Sequence, residues 1–204
     1  EGDASVATAL LELPFDHIFF TGGPEIGKIV MRAAAEHLSS VTLELGGKNP
    51  VVVDETASLE NAASKIAWGK CANCGQACVA PDYVLVHESI HDEFVSRLER
   101  RMETLRVGDP LDKNTDIGAI NSKEQLKRIT NLIGSGIEEG ARLHESGCSL
   151  PEEGFWCRPS FFTGVSASHR IAREEIFGPV LSVLTFRTPA EAVSRANDTC
   201  YGLS

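Results

Sequence analysis

A chain of 204 residues, 42% hydrophobic and 24% charged, has the composition of a folded protein and enough apolar content for one large core or parts of two. Its formal net charge of −10 excludes a nucleic-acid binder of the usual kind, because 19 basic against 29 acidic residues leave no surplus of lysine and arginine for a phosphate backbone. No apolar run approaches the roughly 20 residues of a bilayer span, and the acidic start EGDASVATALLE has no basic stretch leading into an apolar one, so neither an anchor nor a signal peptide is expected.

The first predicted elements lie in FDHIFFTGGPEIGKIVMRAAAEHL: an apolar strand at Ile18 to Phe20, a break at Gly22 and Gly23, and a helix opened by Pro24. Ile26, Ile29, Val30 and Ala33 recur at helical spacing and are expected to form its inner face. A strand, VTLEL, follows. After GGKNP comes NPVVVD (49–54), whose unbroken valines suit a strand buried on both sides. SLENAASKIAWGK reads as a helix with Ser58 as N-cap and Leu59, Ala62, Ala63, Ile66 and Ala67 on one face.

DYVLVHE (82–88) is a predicted strand, and residues 89–108 a helix with Ile90, Phe94, Leu98, Met102 and Leu105 as its stripe and Gly108 at its end. A polar loop, DPLDKNTDIGAI, leads to a helix opened by a capping box of Ser122 and Gln125. Residues 144–170, punctuated by Pro151, Gly154, Pro159 and Gly164, read as a long connection. PVLSVLTF (179–186) is a strand, and Thr188, Pro189 and Glu191 open a last helix. Strands alternating with helices predict an α/β fold with parallel pairing.

Four segments carry chemistry. TGGPEIGKI fits G-x-x-x-x-G-K from Gly22 through Gly27 to Lys28, but Ile29 stands where a P-loop has serine or threonine, and G-x-G-x-x-G is also absent. What remains is a glycine turn and a helix N-terminus, which suits either an anion or a plain strand-to-helix turn. LELGGKNP puts Glu44 at an apolar strand end, as a general base with a raised pKa or as a structural glutamate paired with Lys48 or another cation. CANCGQACVAP places Cys71, Cys74 and Cys78 close together, as core thiols, part of a metal ligand set, or one nucleophile with bystanders. REEIFGPV joins two acids, an aromatic and a Gly-Pro break, with no chemistry legible by itself.

Taken together, FFTGGPEIG, LELGGKNP, WGKCANCGQACVAPDYV and REEIFGPVL resemble, in order and spacing, the aldehyde dehydrogenase superfamily, over essentially the whole chain. The first half is most similar to the class 3 and fatty-aldehyde branch. The resemblance implies NAD(P)-dependent oxidation of a small-molecule aldehyde to a carboxylic acid, with Cys78 as nucleophile and Glu44 as the base that activates water against the thioester. It places Gly22, Gly23 and Gly27 at the pyrophosphate of NAD or NADP, Leu45 and Gly46 beside the nicotinamide, Glu175 on the ribose hydroxyls and Phe177 next to it. Cys74 is then a neighbour able to pair with Cys78 under oxidation, and Cys71 packing on the preceding helix.

The resemblance further implies residues 1–46 as the C-terminal part of a Rossmann-like dinucleotide-binding domain and 47–204 as a catalytic domain incomplete at its C-terminus. The expectation is a fragment, inactive alone, of a cytoplasmic homodimer or homotetramer. The alternatives are a cysteine-rich metal-binding module on Cys71, Cys74 and Cys78, and a non-catalytic scaffold of the same fold.

Overall fold

The computed structural model describes residues 2–203. They form two compact units, one ending at Gly46 and one running from Gly47 to Gly202. Among the described residues no helix is long and apolar enough to cross a membrane.

The first unit opens with a helix that the sequence pattern does not announce, α1 (Ala4–Leu11), capped by the Asp3 side chain, which accepts from Ser5 N–H at 2.8 Å. It buries no side chain, so it leaves no periodic signature. Strands β1 (His17–Thr21) and β2 (Ser40–Glu44) pair in parallel from His17 opposite Ser40 to Thr21 opposite Glu44, with α2 (Pro24–Glu36) connecting them. The expected inner face of α2 is corrected by one position: Gly27, Val30 and Ala34 are buried, whereas Ile26 and Ile29 are 51% and 49% exposed. A Cβ on Gly27 would lie 2.9 Å from Leu45 Cδ2, so the helix makes its closest approach where it has no side chain, and that contact sets its rotation.

The second unit is built on a five-stranded sheet, ordered β3 (Asn49–Val53), β4 (Pro81–His87), β7 (Val180–Phe186), β6 (Ser160–Thr163), β5 (Arg142–Glu145). All pairs are parallel except the antiparallel β5–β6. The central strands β4 and β7 are covered on both sides. Val84, Val86, Leu181 and Val183 pack with Ala63, Ile66 and Ala67 of α3 (Leu59–Cys71) and Phe94, Leu98 and Met102 of α4 (His91–Glu103). On the other side Phe162 and Val180 pack with Ile129 and Leu132 of α5 (Lys123–Glu138), together with Ile171 of the single turn α6 (Arg170–Arg173). Tyr83, Leu85, Leu184 and Phe186 join Ala192 of α7 (Pro189–Ala196).

Three expectations change. The valine run of β3 is an edge strand with Val52 half exposed, and the strands buried on both sides are β4, β6 and β7. Helix α4 ends at Glu103 rather than Gly108, and the chain beyond it pairs through a single parallel bridge between Val107 and Ile117: Arg106 O accepts from Asp116 and Ile117 N–H, and Gly108 N–H donates to Ile117 O. The connection over 144–170 contains the end of β5 and all of β6, whose four residues, SFFT, are all buried but too few to show a period. Ser122 Oγ accepts from Gln125 N–H and Thr188 Oγ1 from Glu191 N–H as read, but the expected capping box is half formed because the Gln125 side chain turns to Phe177 O, and Ser58 stands at the N-cap of α3 without a side-chain cap bond.

Candidate active site

Helix α3 runs out at Cys71 into a turn that no ordinary side-chain-bearing segment favours. Asn73, Cys74 and Gly75 adopt φ of 49°, 57° and 70° in succession, a left-handed run that costs about 1–2 kcal/mol per non-glycine residue. Side chains hold it. Asn73 Nδ2 donates to Gln76 O (2.9 Å), Gln76 Nε2 donates to Asn73 O and Ala119 O (3.2 Å each), and Gln76 Oε1 accepts from Asn121 N–H (2.9 Å). Gly75 is required twice over, since a Cβ there would lie 2.1 Å from the Gly178 carbonyl oxygen.

The turn delivers Cys78, half-buried, just before β4. Its carbonyl accepts from Asn49 Nδ2 at 2.7 Å, and the same amide donates to Ala80 O at 2.9 Å. Asn49 is 3% exposed, and its Oδ1 is left without a partner.

Asn49 is the last of three consecutive residues that reach different parts of the site. Gly47 N–H donates to Glu175 Oε1 at 3.0 Å, and a Cβ on Gly47 would lie 2.8 Å from Cys78 O, so this approach needs glycine. Lys48 Nζ, between them, donates to Asp82 Oδ2 (2.5 Å), Ile171 O (2.8 Å) and Glu174 O (2.8 Å). The segment therefore ties the Cys78 loop to the Glu175 loop within one unit.

The loop carrying Glu175 and Phe177, both half-buried, is held carbonyl by carbonyl. Besides Lys48 on Glu174 O, Arg128 donates to Glu175 O and Ile176 O, and Gln125 Nε2 donates to Phe177 O at 3.4 Å. Phe177 has φ of 53°, a strained value for an aromatic residue that such bracing permits. Burial raises the Glu175 carboxyl above the ordinary glutamate value, partly offset by the Gly47 N–H.

The thiols separate by environment. Cys71, Cys74 and Cys157 are buried in one apolar cluster, and burial pushes each up to about 12, so they are packing. Among the described residues no group of three or more His, Cys, Asp or Glu side chains is placed to hold a metal ion, and Cys71, Cys74 and Cys78 do not form one.

In the first unit Glu44 ends β2 with its side chain exposed. In the second unit, Lys48 gives all three of its protons to Asp82, Ile171 and Glu174. Gly22 N–H donates to Glu44 O at 3.0 Å and so extends the β1–β2 ladder. Gly23 is the N-cap of α2, with open space where a Cβ would be, and Gly27 and Leu45 pack on each other. Gly46 closes the unit.

Sequence reasoning missed Asn49, Lys70, Asp82, Gln125 and Arg128. Lys70 carried a signal: it continues the Ala63, Ile66, Ala67 stripe of α3, and a lysine on a buried face demands a buried acid, which Asp82 at the head of the apolar YVLV run supplies.

Comparison with known proteins adds four findings. The whole chain, residues 1–204, matches the model described as the aldehyde dehydrogenase family. It is 41% identical over 203 residues to human retinal dehydrogenase 2, covering 99% of this chain and 39% of that protein. It is 40% identical over 195 residues to 4,4'-diaponeurosporen-aldehyde dehydrogenase of Staphylococcus aureus, covering 95% and 41%. Its structure superimposes with a TM-score of 0.91, at 38% identity, on a mutant of aldehyde dehydrogenase C from Pseudomonas syringae in complex with NAD+ and octanal, covering 97% of this chain and 41% of that one. The chain spans about two-fifths of the length of these proteins.

Proposed function

The chain belongs to the aldehyde dehydrogenase family, and from that premise we propose that the protein carrying it oxidises an aldehyde to a carboxylic acid with NAD+ or NADP+. Cys78 is the nucleophile, Glu44 the base for hydrolysis, and Glu175 with Phe177 the ribose-binding part of the cofactor site. The observation that carries this reading is the Gly47–Lys48–Asn49 segment, which holds the Glu175 carboxylate from Gly47 and the Cys78 carbonyl from Asn49, two residues on.

The residues present fit such a cofactor in two places. In the first unit, α2 opens at Gly23 with open space at that residue and first-turn N–H groups that have no acceptor within the helix, which suits a pyrophosphate. Gly22 contributes the absence of a side chain rather than its N–H, which Glu44 O already holds. In the second unit, the Gly47 N–H occupies Glu175 Oε1 and leaves Oε2 to accept ribose hydroxyls. When bound, the nicotinamide ring accepts a hydride.

The chain's own groups do the rest. Cys78 adds as thiolate to the aldehyde carbon, and the oxygen takes up the charge beside the Cys78 backbone N–H. Loss of hydride from that carbon turns the thiohemiacetal into a thioester on Cys78. Glu44 then removes a proton from water, the resulting hydroxide adds to the thioester carbonyl, and the Cys78 thiolate leaves with formation of the free acid. A glutamate in this role favours hydrolysis over transfer to another thiol. The full protein is proposed as a cytoplasmic homodimer or homotetramer on the family resemblance alone.

The test is reduction of NAD+ or NADP+ by the full-length protein across a broad aldehyde panel. Oxidation of at least one aldehyde, abolished by Cys78→Ala, is expected. Activity that survives Cys78→Ala, or a panel with no substrate, contradicts the proposal.

A further inference from the structure

Lys48, Lys70 and Asp82 lie together in the second unit at 1%, 1% and 2% exposure. Asp82 accepts from Lys48 through Oδ2 (2.5 Å) and from Lys70 through Oδ1 (2.9 Å). Two ammoniums on one carboxylate leave a positive charge in excess, an expensive arrangement that apolar side chains would replace without loss if stability were its only purpose. Burial lowers the Lys48 pKa in spite of Asp82, and the two lysines hold the Asp82 carboxyl below the ordinary value against the burial that raises it.

The remaining bonds of this network fall on the turn α6 and the loop that follows it. Lys48 gives its other two protons to the carbonyls of Ile171 and Glu174, and Asp82 Oδ2 also accepts from Ile176 N–H at 3.2 Å. The residues immediately before and after Glu175 are thus pinned from the interior, one by each member of the pair. Among the described residues, the Glu175 carboxylate accepts from the Gly47 N–H, its own N–H makes a long bond, 3.4 Å, to Tyr201 Oη, and its carbonyl accepts from Arg128. The bonds from Arg128 to the same loop come from an exposed side chain, where water competes. Among the described residues the Lys70 ammonium hydrogen-bonds to Asp82 and not to the loop, on which it acts through its charge.

Resting on the reading of Glu175 as the acid of the cofactor site, we infer that Lys48 and Asp82 are positioning residues that set the Glu175 carboxylate against the Gly47 N–H, with Lys70 as charge support only. Asp82 stands at the start of β4, on the same segment as Cys78, and Lys48 is next to Asn49, which holds the Cys78 carbonyl. The network therefore fixes the spacing between the two halves of the site.

Lys48→Met and Lys70→Met make a matched test in the full-length protein. Each leaves one lysine against Asp82, a balanced buried pair, and only Lys48→Met releases the Glu174 carbonyl and takes one of two donors from the Ile171 carbonyl, which keeps Ser182 Oγ. Lys48→Met is expected to raise the dissociation constant of NAD(P)H and the KM for NAD(P)+ by about 10- to 100-fold, since misplacement of about 1 Å at a site costs on that order. Lys70→Met is expected to stay within about threefold of the parent, and alkylation of Cys78 by iodoacetamide within about twofold in both. Crystal structures of the two variants read the positional claim without catalysis: Glu175 leaves the Gly47 N–H in Lys48→Met and keeps it in Lys70→Met. If Lys48→Met does not fold, Lys48→Gln, which retains two N–H donors, is held to the same criteria at reduced amplitude. Equal effects of the Lys48 and Lys70 variants, or Glu175 unmoved in the Lys48 variant, would overturn the inference. A parent protein that oxidises no aldehyde would sink the proposed activity instead, and the crystallographic comparison would still decide the positions.

Discussion

Asn49 is the residue whose loss most directly perturbs the Cys78 loop without touching the thiol. Asn49→Ala removes two donors at once, from Cys78 O (2.7 Å) and Ala80 O (2.9 Å). Ala80 is 6% exposed, so its carbonyl finds no ready substitute, and a buried acceptor left unpaired costs about 1–3 kcal/mol. Cys78 is half-buried and its carbonyl regains water, a loss of about 1 kcal/mol. Deleting the side chain also removes its partnerless Oδ1, which returns part of that sum, so the net destabilisation is expected at about 2–3 kcal/mol. For a unit of this size that lowers Tm by about 4–12 °C.

Asn49→Asp keeps the shape but turns an acceptor toward two carbonyls, so it is expected to lose more than alanine does. Thermal and denaturant unfolding read the stability, and the iodoacetamide rate at Cys78 reads the loop. Both variants within about 0.5 kcal/mol of the parent, or aspartate no worse than alanine, would refute the assignment of these hydrogen bonds as the anchor of the loop.

Thiol labelling should follow burial: with iodoacetamide at about pH 8, mass spectrometry is expected to find Cys78 and the exposed Cys200 modified well before Cys71, Cys74 and Cys157, whose thiols burial holds at about 12. Cys74 labelled as fast as Cys78 would contradict this. The pH dependence at Glu175 has a definite sign. Its carboxyl is raised above 4.5 by burial, so its ionised form is disfavoured by folding at neutral pH and relieved of that penalty as pH falls through the folded value. Affinity for NAD(P)+ is therefore expected to fall on acidification from above pH 4.5, and Glu175→Gln to flatten the profile; identical profiles would remove Glu175 from the cofactor site.

What the sequence showed and what it hid follow from the kind of signal each feature leaves. Helices α3, α4 and α7 have stripes or caps that name them, and the YVLV and VLSVL runs mark strands covered on both sides. The same logic fails at β3, because an apolar run does not distinguish a central strand from an edge, and Val52 is half exposed. It fails at α2 because periodicity counts Ile26 and Ile29 and gives Gly27 no weight, although the helix is seated through Gly27. At the site, Cys78 and Glu175 stand in motifs that survive as short strings. The network beneath them does not, since Lys48 and Asp82 are 34 residues apart and Ile176 is 94 from Asp82, separations at which only the folded chain pairs them.

Oxidation is proposed to pass through an acyl group on Cys78, released by water that Glu44 activates. Full-length protein carrying Glu44→Gln, mixed with an aldehyde substrate and NAD(P)+ and quenched in acid, should show by mass spectrometry an acyl adduct on the Cys78 peptide. It should give one rapid equivalent of NAD(P)H followed by turnover slowed about 100-fold or more, the usual weight of a general base. Turnover at the parental rate, or an acyl group on any residue other than Cys78, would contradict the account.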